Sequence, residues 1–394
     1  MKKLLLLILG FNFFVSCAQT NEKKDETANK DTVFITDTID YKALNIDSAQ
    51  VKEINNLTYF IAGMPVAEDY RLYSFTKSNV WKSYSNQANS TWKSFFSKNE
   101  IVKKWADAEL IECREKCSTI LYPFSGPDIL FPEIMFPQSK DVYMIGLEDI
   151  GTIPTFNKPT LAQLDTVFEK YKRAINEVIK FSFFMTKKMK IELANNDISG
   201  TAPIIMLFLV RSGKTILKVE PVTISDEGKV IAVASFKDAR KLNNKGVCFY
   251  YHNEGSNELR KITYFSTNLA DGTLSINKPM LALFESLNGN VATYVKSASY
   301  LMHKTAFSTI RNTLLKKSQF HLQDDSGIPY RYFDKKEWSI QLYGSYIKPI
   351  PLFEKSLEKD LALAYKNAKP KPISFRIGYH PKSNMLIAKK LNLK

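Results

Sequence analysis

The sequence contains few of the residues from which metal and thiol sites are built. It has four cysteines and four histidines in 394 residues. The histidines stand singly along the chain, at His252, His303, His321 and His380, and no CxxC pair occurs. Because zinc sites need clustered cysteine or histidine ligands, we expect no metal site and no cofactor.

Several catalytic signatures are missing as well. The chain has no GxSxG elbow, no HExxH and no GxGxxG. Arg211-Ser-Gly-Lys-Thr215 ends like a Walker loop but lacks the first glycine of that motif. The sequence therefore gives no motif support to the common serine hydrolase, zinc protease, nucleotide hydrolase or dinucleotide-binding classes.

A long uncharged apolar stretch lies at the N-terminus, from Leu4 to Val15, after Lys2 and Lys3. It is too short for a membrane-spanning helix but typical of a secretory signal. It leads into Val15-Ser16-Cys17, which resembles the lipobox of bacterial lipoproteins, where a small residue precedes the acylated cysteine. We predict a signal peptide at 1–16, with Cys17 carrying a lipid anchor.

Ala18 follows this cysteine, where an aspartate would, by resemblance to the lipoprotein sorting pattern, favour the inner membrane. We therefore expect the cell envelope, with the protein anchored to the outer membrane on its periplasmic or surface face. Residues 17–32 are polar and charged and predict a flexible tether. Residues 33–394 are expected to form one globular body, with candidate sub-boundaries near 195–200 or 270–278.

The body is basic and rich in apolar side chains. Without residues 1–16 the chain keeps 53 Lys and Arg against 40 Asp and Glu, and it has 26 Phe and 19 Tyr. Ten basic residues against three acids fall between Pro351 and Lys394. In an envelope, the available counter-charges are anionic lipids or acidic glycans; a solvated basic face is the alternative. No nucleic acid is expected as a partner, and the sequence names no protein partner.

The apolar patterns predict an α+β protein with N-terminal helices, a central, mostly antiparallel sheet and a mixed α/β C-terminal third. Helical spacing marks Ser48–Trp105 and about 160–193. Strands are predicted at 119–124, 141–147, 203–210, 215–222, 229–236, 246–251 and 262–266. The last third alternates helices near 279–286, 307–317 and 351–365 with strands near 291–295, Phe320, Ile340, Phe375 and Leu386.

Two segments place polar groups beside Gly and Pro. In Tyr122-Pro-Phe-Ser-Gly-Pro-Asp128, Ser125 and Asp128 would lie on a loop at a strand end, where α/β proteins place ligand contacts. The alternative is a Gly-Pro turn in which Asp128 caps a helix beginning at Ile129.

The second segment is Gln323-Asp-Asp-Ser-Gly-Ile-Pro-Tyr-Arg-Tyr-Phe333. Asp324, Asp325 and Ser326 are candidates for binding a cation or positioning a water, with Arg331 as a donor. A polar turn closing a hairpin is the alternative. His303 is a candidate general base, although a lone histidine near a helix start is more often structural.

These two motifs, with Tyr143-Met-Ile-Gly-Leu-Glu148, resemble those of an uncharacterised family of secreted or lipid-anchored bacterial proteins. The resemblance implies one integrated body and supplies no activity. We therefore expect an envelope binding or structural module for a polar or anionic ligand or partner. The alternative is an envelope hydrolase with a site around Ser125, Asp128, His303, Asp324 and Asp325.

Cys113 and Cys117 are a candidate disulfide, because residues four apart share a helix face and an exported protein meets oxidising conditions. Buried free thiols are the alternative.

The anchor prediction can be checked directly. The mature protein should begin at Cys17 and carry acyl chains, since two or more chains make membrane attachment stable. Mass spectrometry of the exported protein gives the N-terminal mass, and an intact leader with an unacylated Cys17 would refute the anchor.

Overall fold

The computed structural model describes residues 41–42, 44–181, 194–195, 198–287, 289–379 and 382–391. The predicted signal peptide, Cys17, the tether, His380 and residues 182–193 of the predicted long helix lie outside this range. Residues 37–394 form one compact unit. Within the described part of the chain, no helix has the length and apolar character needed to cross a membrane.

Two amphipathic helices come first, as the spacing of their apolar residues predicts. Helix α1 (Ser48–Ile61) begins after Asp47, whose carboxylate accepts a hydrogen bond from the Ala49 N–H at 3.0 Å. Helix α2 (Asn79–Glu109) begins after Ser78, whose hydroxyl accepts from the Trp81 N–H at 3.2 Å. The later helices are α3 (Ile111–Lys116), α4 (Leu130–Met135), α5 (Leu161–Phe181), α6 (Ala202–Arg211), α7 (Phe236–Ala239), α8 (Asp271–Leu274), α9 (Lys278–Ser286), α10 (Ser308–Lys317) and α11 (Lys359–Asn367).

Most strands of the described chain join one mixed sheet, and two short ones, β3 (Ala194–Asn195) and β4 (Ile198–Ser199), form a separate pair. The ten strands of the large sheet are β1 (Thr119–Pro123), β2 (Asp141–Gly146), β5 (Lys214–Ile224), β6 (Val230–Ala232), β7 (Lys245–Asn253), β8 (Arg260–Ser266), β9 (Val291–Val295), β10 (Phe320–Gln323), β11 (Trp338–Gly344) and β12 (Asn384–Lys390). Their spatial order is β11-β12-β10-β9-β1-β2-β8-β7-β5-β6.

The centre of this sheet is parallel and its flanks are antiparallel. Strands β10, β9, β1, β2 and β8 run parallel, whereas β5, β6, β7 and β8 pair antiparallel, as the middle of the sequence predicts. Strands β2 and β8 lie on one side of β1 in the sheet, and β9 and β10, which come later in the chain, lie on its other side. The carboxyl ends of β1 and β9 therefore flank a topological switch point, where α/β sheets open a crevice.

Helices cover both faces of the sheet, so the fold is an α+β protein of three layers. Successive strand residues point to opposite faces, which lets one strand serve two cores. Ile120 and Tyr122 of β1 pack under the N-terminal helices α1, α2, α4, α5 and α6. Leu121 of the same strand packs under the C-terminal helices α8 to α11.

The strand predicted at Pro203–Val210 is wrong, because this segment is the helix α6. All residues from Ala202 to Val210 are buried. A short apolar run fits a buried strand and an all-round buried helix equally well by periodicity. Pro203 in the first helical turn is the local signal for a helix. The strand predicted near Phe375 is also wrong, since that residue lies in irregular chain.

Cys113 lies in α3 and Cys117 directly follows it, as the spacing suggests. Both are buried free thiols in the structure, as is Cys248. Burial raises the pKa of the Cys113 thiol, and hydrogen bonding to Cys117 raises it further.

Leu207 tests the buried helix, because its side chain is fully buried in α6. We expect Leu207→Ala to lower the free energy of unfolding by about 2–5 kcal/mol through the cavity it leaves. The matched control is Leu161→Ala at the start of α5, where the side chain is 47% exposed and the loss should stay below about 0.5 kcal/mol. Urea denaturation measures both, and equal losses would contradict the assignment of α6 to the core.

Candidate functional site

Strained backbone is concentrated at the carboxyl ends of β1 and β9. Phe124 follows β1 with φ of 59°, and Ser297, Ser299 and Tyr300 follow β9 with φ of 54°. A side chain other than glycine in this left-handed region costs about 1–3 kcal/mol and is retained only where neighbouring groups hold it. The residues that hold these two turns are therefore the first to identify.

Lys296 and Asp128 connect the two turns through a buried ion pair. The Lys296 Nζ lies 2.7 Å from Asp128 Oδ2, with both side chains nearly inaccessible to solvent. The ammonium also lies 3.5 Å from the centre of the Phe131 ring. The Tyr122 hydroxyl donates to the same Asp128 oxygen at 3.1 Å. Burial lowers the pKa of Lys296, and Asp128 opposes that shift.

The interpretation of Asp128 as a helix cap is wrong. Helix α4 begins at Leu130 after Ile129, and no side chain caps its first turn. The carboxylate is instead committed to Lys296 and Tyr122, while its second oxygen, Oδ1, is buried with no hydrogen-bond partner among the described residues.

Asp324 holds the turn that follows β9. It accepts hydrogen bonds from the N–H of Ser297 at 2.9 Å and from the N–H of Ser326 at 3.0 Å. The Ser326 hydroxyl in turn accepts from the Ala298 N–H at 2.7 Å. Burial, reinforced by the Asp325 carboxylate, raises the pKa of Asp324 to about 7. Asp324 and Ser326 thus support the strained backbone.

Asp325 turns away from Asp324 and makes a separate set of contacts. It accepts from the Tyr300 hydroxyl at 2.5 Å and from Asn384 Nδ2 at 3.1 Å. The Asn384 Oδ1 accepts from the Asp325 N–H at 2.8 Å, which ties this loop to β12. The predicted hairpin is wrong, because β12 lies between β10 and β11 in the sheet.

His303 faces Glu358 beneath this loop, with Nε2 and Oε1 3.5 Å apart. Burial lowers the pKa of His303 to about 4 and raises that of Glu358 to about 8. Near neutral pH both groups are therefore uncharged, and the contact is not an ion pair. Glu358 also accepts from the Tyr330 N–H at 2.7 Å.

Ser125 makes no hydrogen bond to these groups, and Arg331 acts on them only through its charge, which helps to lower the pKa of His303. The Ser125 hydroxyl donates to the Gly126 carbonyl at 2.8 Å, and no hydrogen bond links it to His303. Arg331 is exposed and lies against the Tyr332 ring. The structure thus brings Asp128 and Asp324 near Lys296, and Asp325 near His303 through Tyr300. It buries the three carboxylates and leaves His303 partly buried.

The space beside this network is lined by different residues. A cavity of about 180 Å³ lies at the carboxyl edge of the parallel strands, between the turns after β1, β2, β8 and β9. Its lining residues are Phe124, Gly126, Ile145 to Glu148, Thr267 to Leu269, Ser297 to Ser299, Leu301 and Phe307. Within the described part of the chain, Glu148 is the only ionisable side chain in this lining.

Gly146 gives the cavity its floor. A Cβ at this position would lie 2.6 Å from Glu148 Oε2 and 2.7 Å from the Tyr264 hydroxyl. The glycine lets Glu148 accept from the Leu147 N–H at 3.1 Å and from Tyr264 at 3.2 Å. The Ser297 hydroxyl is buried and has no hydrogen-bond partner within the described chain.

Sequence reasoning missed Lys296, Glu358, Glu148 and Ser297. One signal was available for Lys296, since a lysine directly after the buried run Val291–Val295 is an unusual residue for a strand end in the core. Glu148 ends the motif Tyr143–Glu148, but no role was assigned to it from the sequence. Ser297 and Glu358 lie in no motif, and the tertiary fold alone places them beside the other groups.

Compared with models of known protein families, with curated proteins and with solved structures, the chain gives no match. The fold and this arrangement of side chains are therefore what bear on function.

Glu358 provides a test of the buried, uncharged groups. Its pKa of about 8 in the folded state lies above the ordinary 4.5, so between these values the folded protein keeps a proton that the unfolded chain has released. Stability from this group is present at low pH and is lost as pH rises towards 8. Glutamine does not titrate, so Glu358→Gln should gain roughly 2–4 kcal/mol relative to wild type between pH 5 and pH 9.

Denaturant unfolding at pH 5, 7 and 9 measures this difference. The control is Glu100→Gln, which makes the same substitution at an exposed position of α2. A difference for Glu358→Gln that is independent of pH would contradict the uncharged state of the buried carboxyl group.

Proposed function

We propose that this protein is an outer-membrane-anchored envelope lipoprotein whose body binds a small polar ligand in the cavity at the carboxyl edge of its parallel strands. The anchor rests on the leader and Cys17. The observation that carries the binding proposal is the cavity at the switch point, beside turns whose strained backbone a buried network holds in place. Ligand sites of open α/β sheets occur in this position.

The chemistry of the lining favours a neutral or positively charged ligand. Glu148 supplies a carboxylate, and Ser297, Ser299, Thr267 and Asn268 supply hydroxyl or amide groups. Among the residues that the structure describes, no lysine, arginine or histidine lines the cavity. A buried anion without a cationic partner is costly, so an anionic ligand fits less well than the basic composition suggests. The volume suits a ligand smaller than a typical drug-sized compound.

The hydrolase alternative has less support. Nucleophilic catalysis needs a serine or cysteine within hydrogen-bond reach of a base. The Ser125 hydroxyl bonds to backbone carbonyls, and no histidine or lysine among the described residues forms a hydrogen bond with the Ser297 hydroxyl. Binding without covalent chemistry is therefore the function that the geometry favours.

Ligand-observed NMR with small cationic, neutral and anionic fragments tests this function. Neutral and cationic fragments should bind and anionic ones should not. Thr267→Phe fills the cavity and should abolish binding. Glu148→Gln should lower the affinity for cationic fragments by about tenfold or more, because a hydrogen bond to a charged group contributes about 1.5–3 kcal/mol.

Thr155→Phe is the matched control, since it adds the same ring at an exposed position that is not part of this lining. It should leave all fragments bound. Fragments that still bind after Thr267→Phe, or a preference for anions, would overturn the proposal.

A further inference from the structure

A second depression lies along the outer edge of the sheet, where β11 is the terminal strand. This groove has a volume of about 1,090 Å³. Three segments line it: residues 330–336, the β11 residues Ile340 to Leu342, and residues of α11 and beyond as far as Lys369. We call it the β11 groove. It shares no residue with the cavity at the carboxyl edge.

The backbone of β11 offers hydrogen-bonding groups to the groove. In an antiparallel strand, the N–H and C=O of one residue point to the same side, and successive residues alternate. The Leu342 C=O accepts from the Lys371 N–H at 2.9 Å, and the Gly344 N–H donates to the Lys371 C=O at 2.8 Å. The backbone N–H and C=O groups of the even-numbered residues of β11 therefore point away from β12. Ile340 directs both its N–H and its C=O into the groove, and no backbone group of the described chain pairs with them.

Lys371 shows that this edge accepts an added strand. It forms a parallel bridge with Tyr343 and covers only the last part of β11. The groove is the remaining part, and exposed edges of this kind pair readily with extended chains. Leu363 and Tyr332, which are 56% and 37% exposed, give the groove apolar contact surface for side chains of such a segment.

The charge of the groove selects among possible occupants. Arg331, Lys335, Lys336 and Lys369 line it, are exposed and form no ion pair within the described chain. Two acids, Asp334 and Asp360, line it as well, which leaves an excess of positive charge. The groove of a second copy carries the same charge and is repelled. A nucleic acid would satisfy the cations but has no backbone that pairs with a strand edge.

We propose that the β11 groove binds an extended acidic peptide segment of a partner protein by strand addition, with the peptide backbone pairing with Ile340 and its carboxylates facing the four cations. Main-chain hydrogen bonds supply affinity in this mode of recognition, and the charges select the partner.

Fluorescence anisotropy with the full-length protein in detergent micelles tests this proposal. The probe is a labelled peptide of about ten residues, the upper length of a common strand, in which threonine and valine alternate with glutamate. It should bind, and the same peptide with lysine in place of glutamate should not. Lys335→Glu combined with Lys336→Glu should weaken binding at least about tenfold, the effect of about 1.4 kcal/mol.

Lys103→Glu combined with Lys104→Glu is the matched control, because these two adjacent lysines are exposed on α2. It should leave the affinity unchanged. A peptide with N-methyl groups on alternate amides keeps its charge but cannot pair with a strand edge, and it should not bind.

Three results would overturn the proposal. If the N-methylated peptide binds as tightly as the unmethylated one, the interaction is charge attraction without strand pairing. Tighter binding of a single-stranded oligonucleotide of equal charge would make the groove a nucleic-acid site. A dimer of the protein that the peptide dissociates would make a second copy the occupant.

Discussion

The ion pair between Lys296 and Asp128 is the interaction on which the centre of this structure depends. It joins the end of β9 to the loop after β1, on the two sides of the switch point. Two charges removed from water require close pairing, because an unpaired buried charge is strongly destabilising. The pair therefore fixes the distance between two loops that strand pairing alone leaves free. Asp324 and Ser326 then set the backbone that follows Lys296.

The residues that hold the turns in place are different from the residues that line the cavity. Asp324, Asp325 and Ser326, which follow β10, are buried and hold neighbouring turns, while other residues such as Thr267, Ser299 and Gly126 line the cavity. A ligand in that cavity would meet a rigid wall, since its backbone is fixed by hydrogen bonds from behind. Rigid support of this kind reduces the entropy lost on binding.

The sequence predicted local structure well and long-range structure poorly. Apolar spacing located α1, α2 and the strands β1 and β2, because these patterns are local. It did not predict the parallel centre of the sheet, which depends on β9 arriving beside β1. For the same reason Asp128 looked like a cap, since its partner Lys296 is brought to it only by the tertiary fold. The strand prediction for Pro203–Val210 was wrong for another reason. A segment that is apolar throughout has no polar face, so its spacing does not distinguish a strand from a helix.

The position of β12 has a consequence for how the chain reaches its native state. It is the last strand of the described chain, yet it lies inside the sheet between β10 and β11. The edge strand β11 precedes it in sequence and pairs with the rest of the sheet only through it. Strand β11 therefore cannot join the sheet until β12 has been synthesised. Until then β10 keeps an open edge on the side away from β9, and an unpaired strand edge is a template for aggregation.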